Sequence, residues 1–311
     1  MTVLVALGQA VLLAVLAPHV LGITRAVRAR LEGRAGHRLG QPWRDLRKLL
    51  RRSPTSPTDA SLFFVAAPPV LMATSLLVAA AAPFVATTSL AGEADLIVVV
   101  GLLLLGTVAL ALAGLDTGTA FGGMGASREM TIAALVEPTL LLSVFALSVR
   151  VGSTDLATIV TAGATDPASV FTPASALAAA ALAIATLAEC GRVPVDNPST
   201  HLELTMVHEA MVLEYSGRDL ALVEWASALR LTILLGLLAN LFAPWGVATQ
   251  LTPAALAIGT AAFVAKVGGL AAILAAGEVF AAKLRLFRVP ELLAGSFALA
   301  LLAVLAAAVL G

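Results

Sequence analysis

Eight long apolar runs limit what this chain can fold into. They lie at roughly 2–23, 62–86, 95–115, 129–150, 173–190, 220–243, 253–281 and 290–310. A helix needs about 20 residues to cross the hydrocarbon core of a bilayer. No water reaches the backbone there, so helices that satisfy their own polar groups are expected. The runs predict an all-α, polytopic integral membrane protein with eight transmembrane helices. Only 12% of the residues are charged, against about 25% in a soluble domain. No second domain is evident, so 1–311 reads as one transmembrane domain.

Basic residues orient the runs. The first run has no Lys or Arg before it and a dense basic stretch after it. That pattern is a retained span with its C-terminal end inside, not a signal peptide. With the N-terminus outside, the inside loops are 24–61, 116–128, 191–219 and 282–289. They hold 16 of the 19 Lys and Arg. An odd number of spans would break this asymmetry. The prediction is N-out/C-out in the cell inner (cytoplasmic) membrane.

Loop 24–61 carries Arg25, Arg28 and Arg30, then Gln41-Pro42-Trp43-Arg44-Asp45-Leu46-Arg47-Lys48-Leu49-Leu50. Pro42 suits the first turn of a helix. Trp43, Leu46, Leu49 and Leu50 form one face and the bases another, as in a helix lying on the cytoplasmic leaflet. Such a helix anchors topology. Its exposed charges, Arg25, Arg28, Arg30, Arg44, Asp45, Arg47 and Lys48, are also candidates for docking a soluble subunit.

The glycine-rich stretch Gly118–Glu129 lacks the preceding strand and following Lys-Ser/Thr of a phosphate loop. A tight turn ending in a Ser127 helix cap is expected. Glu137-Pro138 falls inside the fourth run. A charged, unpaired carboxylate at mid-depth costs about 2.5–3.5 kcal/mol or more. Lys266 and Glu278, in the seventh run, likewise require a partner or a wetted cavity.

Residues 189–219 form the densest polar stretch, with six of the 19 acids, two of the four histidines and the single cysteine. Thr200-x-x-Glu203 reads as a capping box, so a helix is expected from about His201. On it His201, His208 and Tyr215 would share one face, and Glu203 and Glu214 another. Glu189, Asp196, Glu209, Asp219 and Glu224 complete the acidic set. Crowded carboxylates one or two turns apart can pass a proton through intervening water. Two turns separate His201 from His208, too far for one metal ion to bridge. No metal site, hydrolase triad or nucleic-acid partner is expected. One cysteine cannot hold an iron–sulfur cluster.

Glu189-x-x-Arg192-x-Pro194-x-Asp196-x-Pro198, followed by Glu214-Tyr215-Ser216-Gly217, resembles the family of membrane subunit 1 of respiratory complex I. The run from Pro194 to Met211 is similar to the hydrogenase-4 and formate hydrogenlyase branch, the membrane anchors of group 4 nickel–iron hydrogenases. Gln41–Leu49 and the spacing of Arg128 to Glu137 also fit, and the resemblance covers the whole chain. His37 departs from the pattern, where proline is usual.

The resemblance implies a non-redox subunit that seats a peripheral hydrogenase or dehydrogenase arm. Its proton route would lead toward antiporter-like membrane subunits. Glu137, Glu189, Glu203 and Glu214 match acidic positions of that route. Glu209, His201, His208, Glu224, Lys266 and Glu278 are further candidates, and Arg192, Pro194, Asp196 and Pro198 are the loop architecture. Nickel–iron and iron–sulfur centres would sit in partner subunits. Quinone binding stays open, because the complex I branch lines a quinone chamber with this loop and the hydrogenase branch typically lacks quinone chemistry. The alternatives are a subunit of a quinone-reducing complex, a passive anchor and a stand-alone secondary transporter.

Overall fold

The computed structural model describes residues 2–310 except 37, 58–59, 88–93, 197–205, 283 and 286–287, and the side chains of 169 and 310. The helices are α1 (Thr2–Leu31), α2 (Gln41–Leu50), α3 (Leu62–Ala81), α4 (Leu96–Asp116), α5 (Ala120–Val151) and α6 (Leu156–Thr165). They continue with α7 (Pro167–Val170), α8 (Pro173–Glu189), α9 (His208–Val212), α10 (Gly217–Phe242), α11 (Pro253–Phe280) and α12 (Val289–Leu310). Among the described residues, β-pairing is limited to two isolated bridges. Among the described residues, seven helices are long and apolar enough to cross a membrane: α1, α3, α4, α5, α10, α11 and α12. The remaining apolar run forms α8, whose 17 residues make about 25 Å of helix, at the short limit for a span.

α10 is the hub, packed against α1, α2, α3, α8 and α11. α4 lies between α3 and α5, and α12 covers α5 and α8. Lipid tails are as apolar as leucine, so close packing rather than water exclusion holds such helices together. At Gly236, for example, an added Cβ would lie 2.8 Å from the Phe84 ring and 2.9 Å from Phe263.

Prolines inside the spans set two long-range contacts. Proline has no N–H for the carbonyl four residues earlier. Pro18 therefore leaves the Ala14 carbonyl without a helical donor, and Trp225 Nε1 of α10 donates to it at 2.8 Å. Pro68 does the same to Phe64, and the Tyr215 hydroxyl donates to the Phe64 carbonyl at 2.9 Å. The Phe64 and Tyr215 rings stack at 4.3 Å.

The amphipathic helix expected in the first loop is α2. Leu46 and Pro42 are buried, while Arg44, Asp45, Arg47 and Lys48 lie on its outer side. Trp43 Nε1 reaches the Val15 carbonyl at 3.1 Å and its ring meets Trp225 edge-on. After α2 the chain crosses the start of α10, where Thr55 N donates to Ser216 Oγ at 2.7 Å. A Cβ at Gly217 would sit 2.4 Å from the Ser53 carbonyl oxygen, and its φ of +55° also requires glycine.

Two expectations are corrected. The glycine-rich stretch is not a turn capped by Ser127. From Ala120 on it forms the start of α5, capped by Thr119, whose Oγ1 accepts from Gly122 N at 3.0 Å. The glycines allow close packing: a Cβ at Gly125 would lie 2.8 Å from Ala210, and one at Gly122 2.5 Å from the Gly114 carbonyl. In addition, α9 ends at Val212, so His208 and Tyr215 do not share a helical face. Between α5 and α8, residues 156–170 form α6 and α7.

Tyr215→Phe keeps the stacked ring and removes the donor for the Phe64 carbonyl. A buried acceptor left alone costs about 1–3 kcal/mol. Thermal unfolding of the detergent-solubilised protein should show a clear drop in midpoint, while Leu213→Ala, at an exposed neighbour, should leave it close to wild type.

Candidate functional site

At the bundle end that carries loops 24–61 and 191–219, α1, α3, α4, α5, α8, α9, α10 and α11 line a cavity of about 310 Å³. Its wall is charged. α1 contributes Arg25 and Arg28, α5 Glu129, and the end of α8 with the turn after it Glu189, Arg192 and Asp196. α9 contributes His208 and Glu209, α10 Glu224 and Arg230, and α11 Glu278.

Arg230 is the buried cation of this wall. It pairs with Glu189, and its Nη2 also donates to the Leu103 carbonyl at 2.8 Å and to Thr107 Oγ1 at 2.6 Å. The side chains of the pair are only 9% and 4% exposed. A second pair, Arg192–Glu278 at 3.4 Å, joins the end of α8 to α11. Glu137 lies beyond the wall. It is buried, and neither carboxylate oxygen has a hydrogen-bond partner among the described residues. The charges acting on it are those of Glu189 and Arg230.

The loop residues hold this wall in place. Asp196 is buried and accepts from Val207 N at 3.3 Å, and the Pro194 carbonyl accepts from Leu284 N at 2.9 Å. Arg128 Nη1 donates to the Met206 carbonyl at 2.9 Å.

The cavity thus brings together Glu189, Glu209, His208, Glu224 and Glu278 from the expected proton set, together with Arg192, Asp196, Arg25 and Arg28. Glu214 is elsewhere, accepting from Thr119 Oγ1 at 2.5 Å beside the start of α5. Lys266 is also separate: its Nζ donates to Asn240 Oδ1 at 3.1 Å, and 12 residues of α11, about 18 Å, part it from Glu278. His201, Glu203 and Pro198, with His37, lie outside the described residues. Sequence reasoning missed Glu129 and Thr107. The cation inside the sixth run, Arg230, could have prompted a search for its carboxylate.

Burial alone would lower the His208 imidazole. Its neighbours Glu129 and Glu209 outweigh that effect and the nearby Arg230 charge, and hold it above its ordinary value.

Removing one partner of a buried pair leaves an uncompensated charge and costs about 3–5 kcal/mol. Arg230→Met should therefore sharply lower the yield of folded protein, and Arg230→Met with Glu189→Gln should recover much of it. Yield by fluorescence size-exclusion checks both.

A family model described as NADH dehydrogenase matches residues 3–309. The chain is 39% identical to hydrogenase-4 component C of Escherichia coli (strain K12) over 255 residues, 82% of this chain and 79% of that one. It is 34% identical to formate hydrogenlyase subunit 4 of the same organism over 304 residues, 97% of this chain and 98% of that one. A chain of the membrane-bound sulfane sulfur reductase, an archaeal respiratory membrane complex, superposes with a TM-score of 0.82 at 21% identity, covering 98% of this chain and 99% of that one. That similarity establishes the fold alone.

Proposed function

The chain belongs to the NADH dehydrogenase family, and on that footing we propose that it is the non-redox membrane anchor of a formate-hydrogenlyase-like hydrogenase complex. It docks a peripheral redox arm and couples electron transfer there to proton translocation. The near full-length match to formate hydrogenlyase subunit 4 supports the anchor role. α8 is taken as the eighth span, which keeps both termini outside in the inner membrane and loops 24–61 and 191–219 facing the cytoplasmic arm. The bases Arg30, Arg44, Arg47 and Lys48 then lie beside that arm, and antiporter-like subunits flank the bundle. Nickel–iron and iron–sulfur centres belong to partner chains, because one cysteine cannot ligate such a cluster.

The observation that carries the proton role is the line from the charged cavity to Glu137. A charge with no partner costs several kcal/mol inside a membrane, and proton uptake by Glu137 removes that cost. A redox event in the arm changes the field at the cavity and shifts protons among its coupled carboxylates. Glu189, freed from or returned to Arg230, passes the proton to or from Glu137.

Quinone reduction is the second reading, favoured by cavity size, at the low end of the roughly 300–1,000 Å³ of ligand sites. The ion-paired wall favours water and protons. Quinone-dependent turnover of the purified complex would support the second reading. In liposomes, Glu137→Gln should leave assembly intact and lower proton translocation per electron roughly tenfold or more. Unchanged translocation would remove Glu137 from the route.

A further inference from the structure

One carboxylate in the cavity wall has no part in the route above. Glu129, on α5, faces His208 of α9, with Oε1 3.8 Å from Nδ1. The other ring nitrogen lies 3.4 Å from Ser227 Oγ of α10. The side chains of His208 and Glu129 are 27% and 15% exposed, and both line the cavity.

The pair belongs to a built contact. Residues 125, 128 and 129 share one face of α5, as i, i+3 and i+4 positions do. Gly125 admits Ala210, Arg128 holds the Met206 carbonyl, and Glu129 meets His208. α5 therefore grips α9 on both sides of the imidazole. The charges acting on His208 come from four elements: Glu129 on α5, Glu209 on α9, Glu189 at the end of α8, and Glu224 and Arg230 on α10. Arg25, Arg28 and Arg192 share the cavity wall, but the nearest carboxylates, Glu129 and Glu209, outweigh Arg230 and favour an imidazolium at this point.

We infer that Glu129 and His208 form a proton-loading pair that feeds Glu189, with Glu129 the positioning residue acting through the imidazole. This rests on the proton-route reading. A hydronium ion in the cavity protonates the neutral imidazole and leaves as water. The imidazolium then passes that proton, through water in the shared cavity, to the Glu189 carboxylate, leaving a carboxylic acid and a neutral imidazole. The acid form of Glu189 no longer balances Arg230, so the buried pair loosens as the proton arrives. Glu129 keeps its charge throughout and steadies the imidazolium between transfers.

The pair is most stable with the imidazole charged. Its contribution is complete below the ordinary histidine value, about 6.5, and is lost as pH rises through the raised folded value. In the assembled complex, peptide-resolved labelling with diethyl pyrocarbonate, which attacks neutral imidazole, reads this without any variant. A His208 midpoint above about 6.5 supports the pair, and one at or below it overturns the pair. In liposomes, Glu129→Gln should move the alkaline limb of proton translocation per electron down by about one pH unit, and Glu129→Asp should restore most of that shift. A Glu129→Gln profile superposing on wild type, or an equal shift in both variants, refutes the inference. Glu137→Gln separates the two readings. If it abolishes translocation while Glu129→Gln moves nothing, only the pair fails. If it too changes nothing, the route itself fails.

Discussion

A guanidinium inside an oily bundle has to be neutralised where it stands, and much of this architecture follows from Arg230. The charge cannot snorkel to water from the interior of α10. Glu189 must therefore come to it, and Glu189 is the last residue of α8. That requirement fixes how far α8 runs and where the chain turns into loop 191–219. Thr107 and the Leu103 carbonyl bring α4 to the same point. Gly106 lets it in, since a Cβ there would lie 2.9 Å from Leu71 and 3.7 Å from Arg230 Nη1. One buried pair thus ties three helices distant in sequence, and its cost if broken enforces their register.

Backbone satisfaction supplies a second tie of the same kind. Pro18 and Pro68 each orphan a carbonyl in a place without water. The donors are aromatic side chains on or just before α10, Trp225 and Tyr215. Both contacts face the hub helix, so α10 is held by polar bonds at its loop end and by close packing around Gly236 further along. The cavity lies at the polar end, where α10 is tied to its neighbours by side-chain bonds and a water-filled space can persist beside it.

Much of the scaffold was legible in the chain. The apolar runs mark the spans, and Pro42 with its alternating bases marks α2. The prolines were legible too, but the donors that answer them sit 151 and 211 residues from the carbonyls, and no local pattern points across such a gap. The start of α5 was misread because glycines at Gly122, Gly123 and Gly125 look like loop. They are spent on helix contacts that only the fold reveals. Cavity acids such as Glu189, Glu209 and Glu224 were recognisable because they crowd one polar stretch. Glu129 escaped because its meaning comes from His208 on another helix. Lys266 and Glu278 share a helix and looked like one system, yet their side chains serve opposite halves of it.

The proposed route also has to stop somewhere. Past Glu137 along α5, Leu103, Leu140, Val144, Leu182 and Leu234 line a gap of about 10 Å³, which is at the limit of one water and offers it no polar partner. On the proposed route, a proton at Glu137 would meet that dry gap on this side. That barrier is what a coupling subunit needs, since an open wire through a single chain would dissipate the gradient. On this reading the proton leaves sideways, across the α5 flank toward a neighbouring subunit. The polar end, the orphan carboxyl and the apolar plug then act as one device, an inlet whose outlet belongs to a partner.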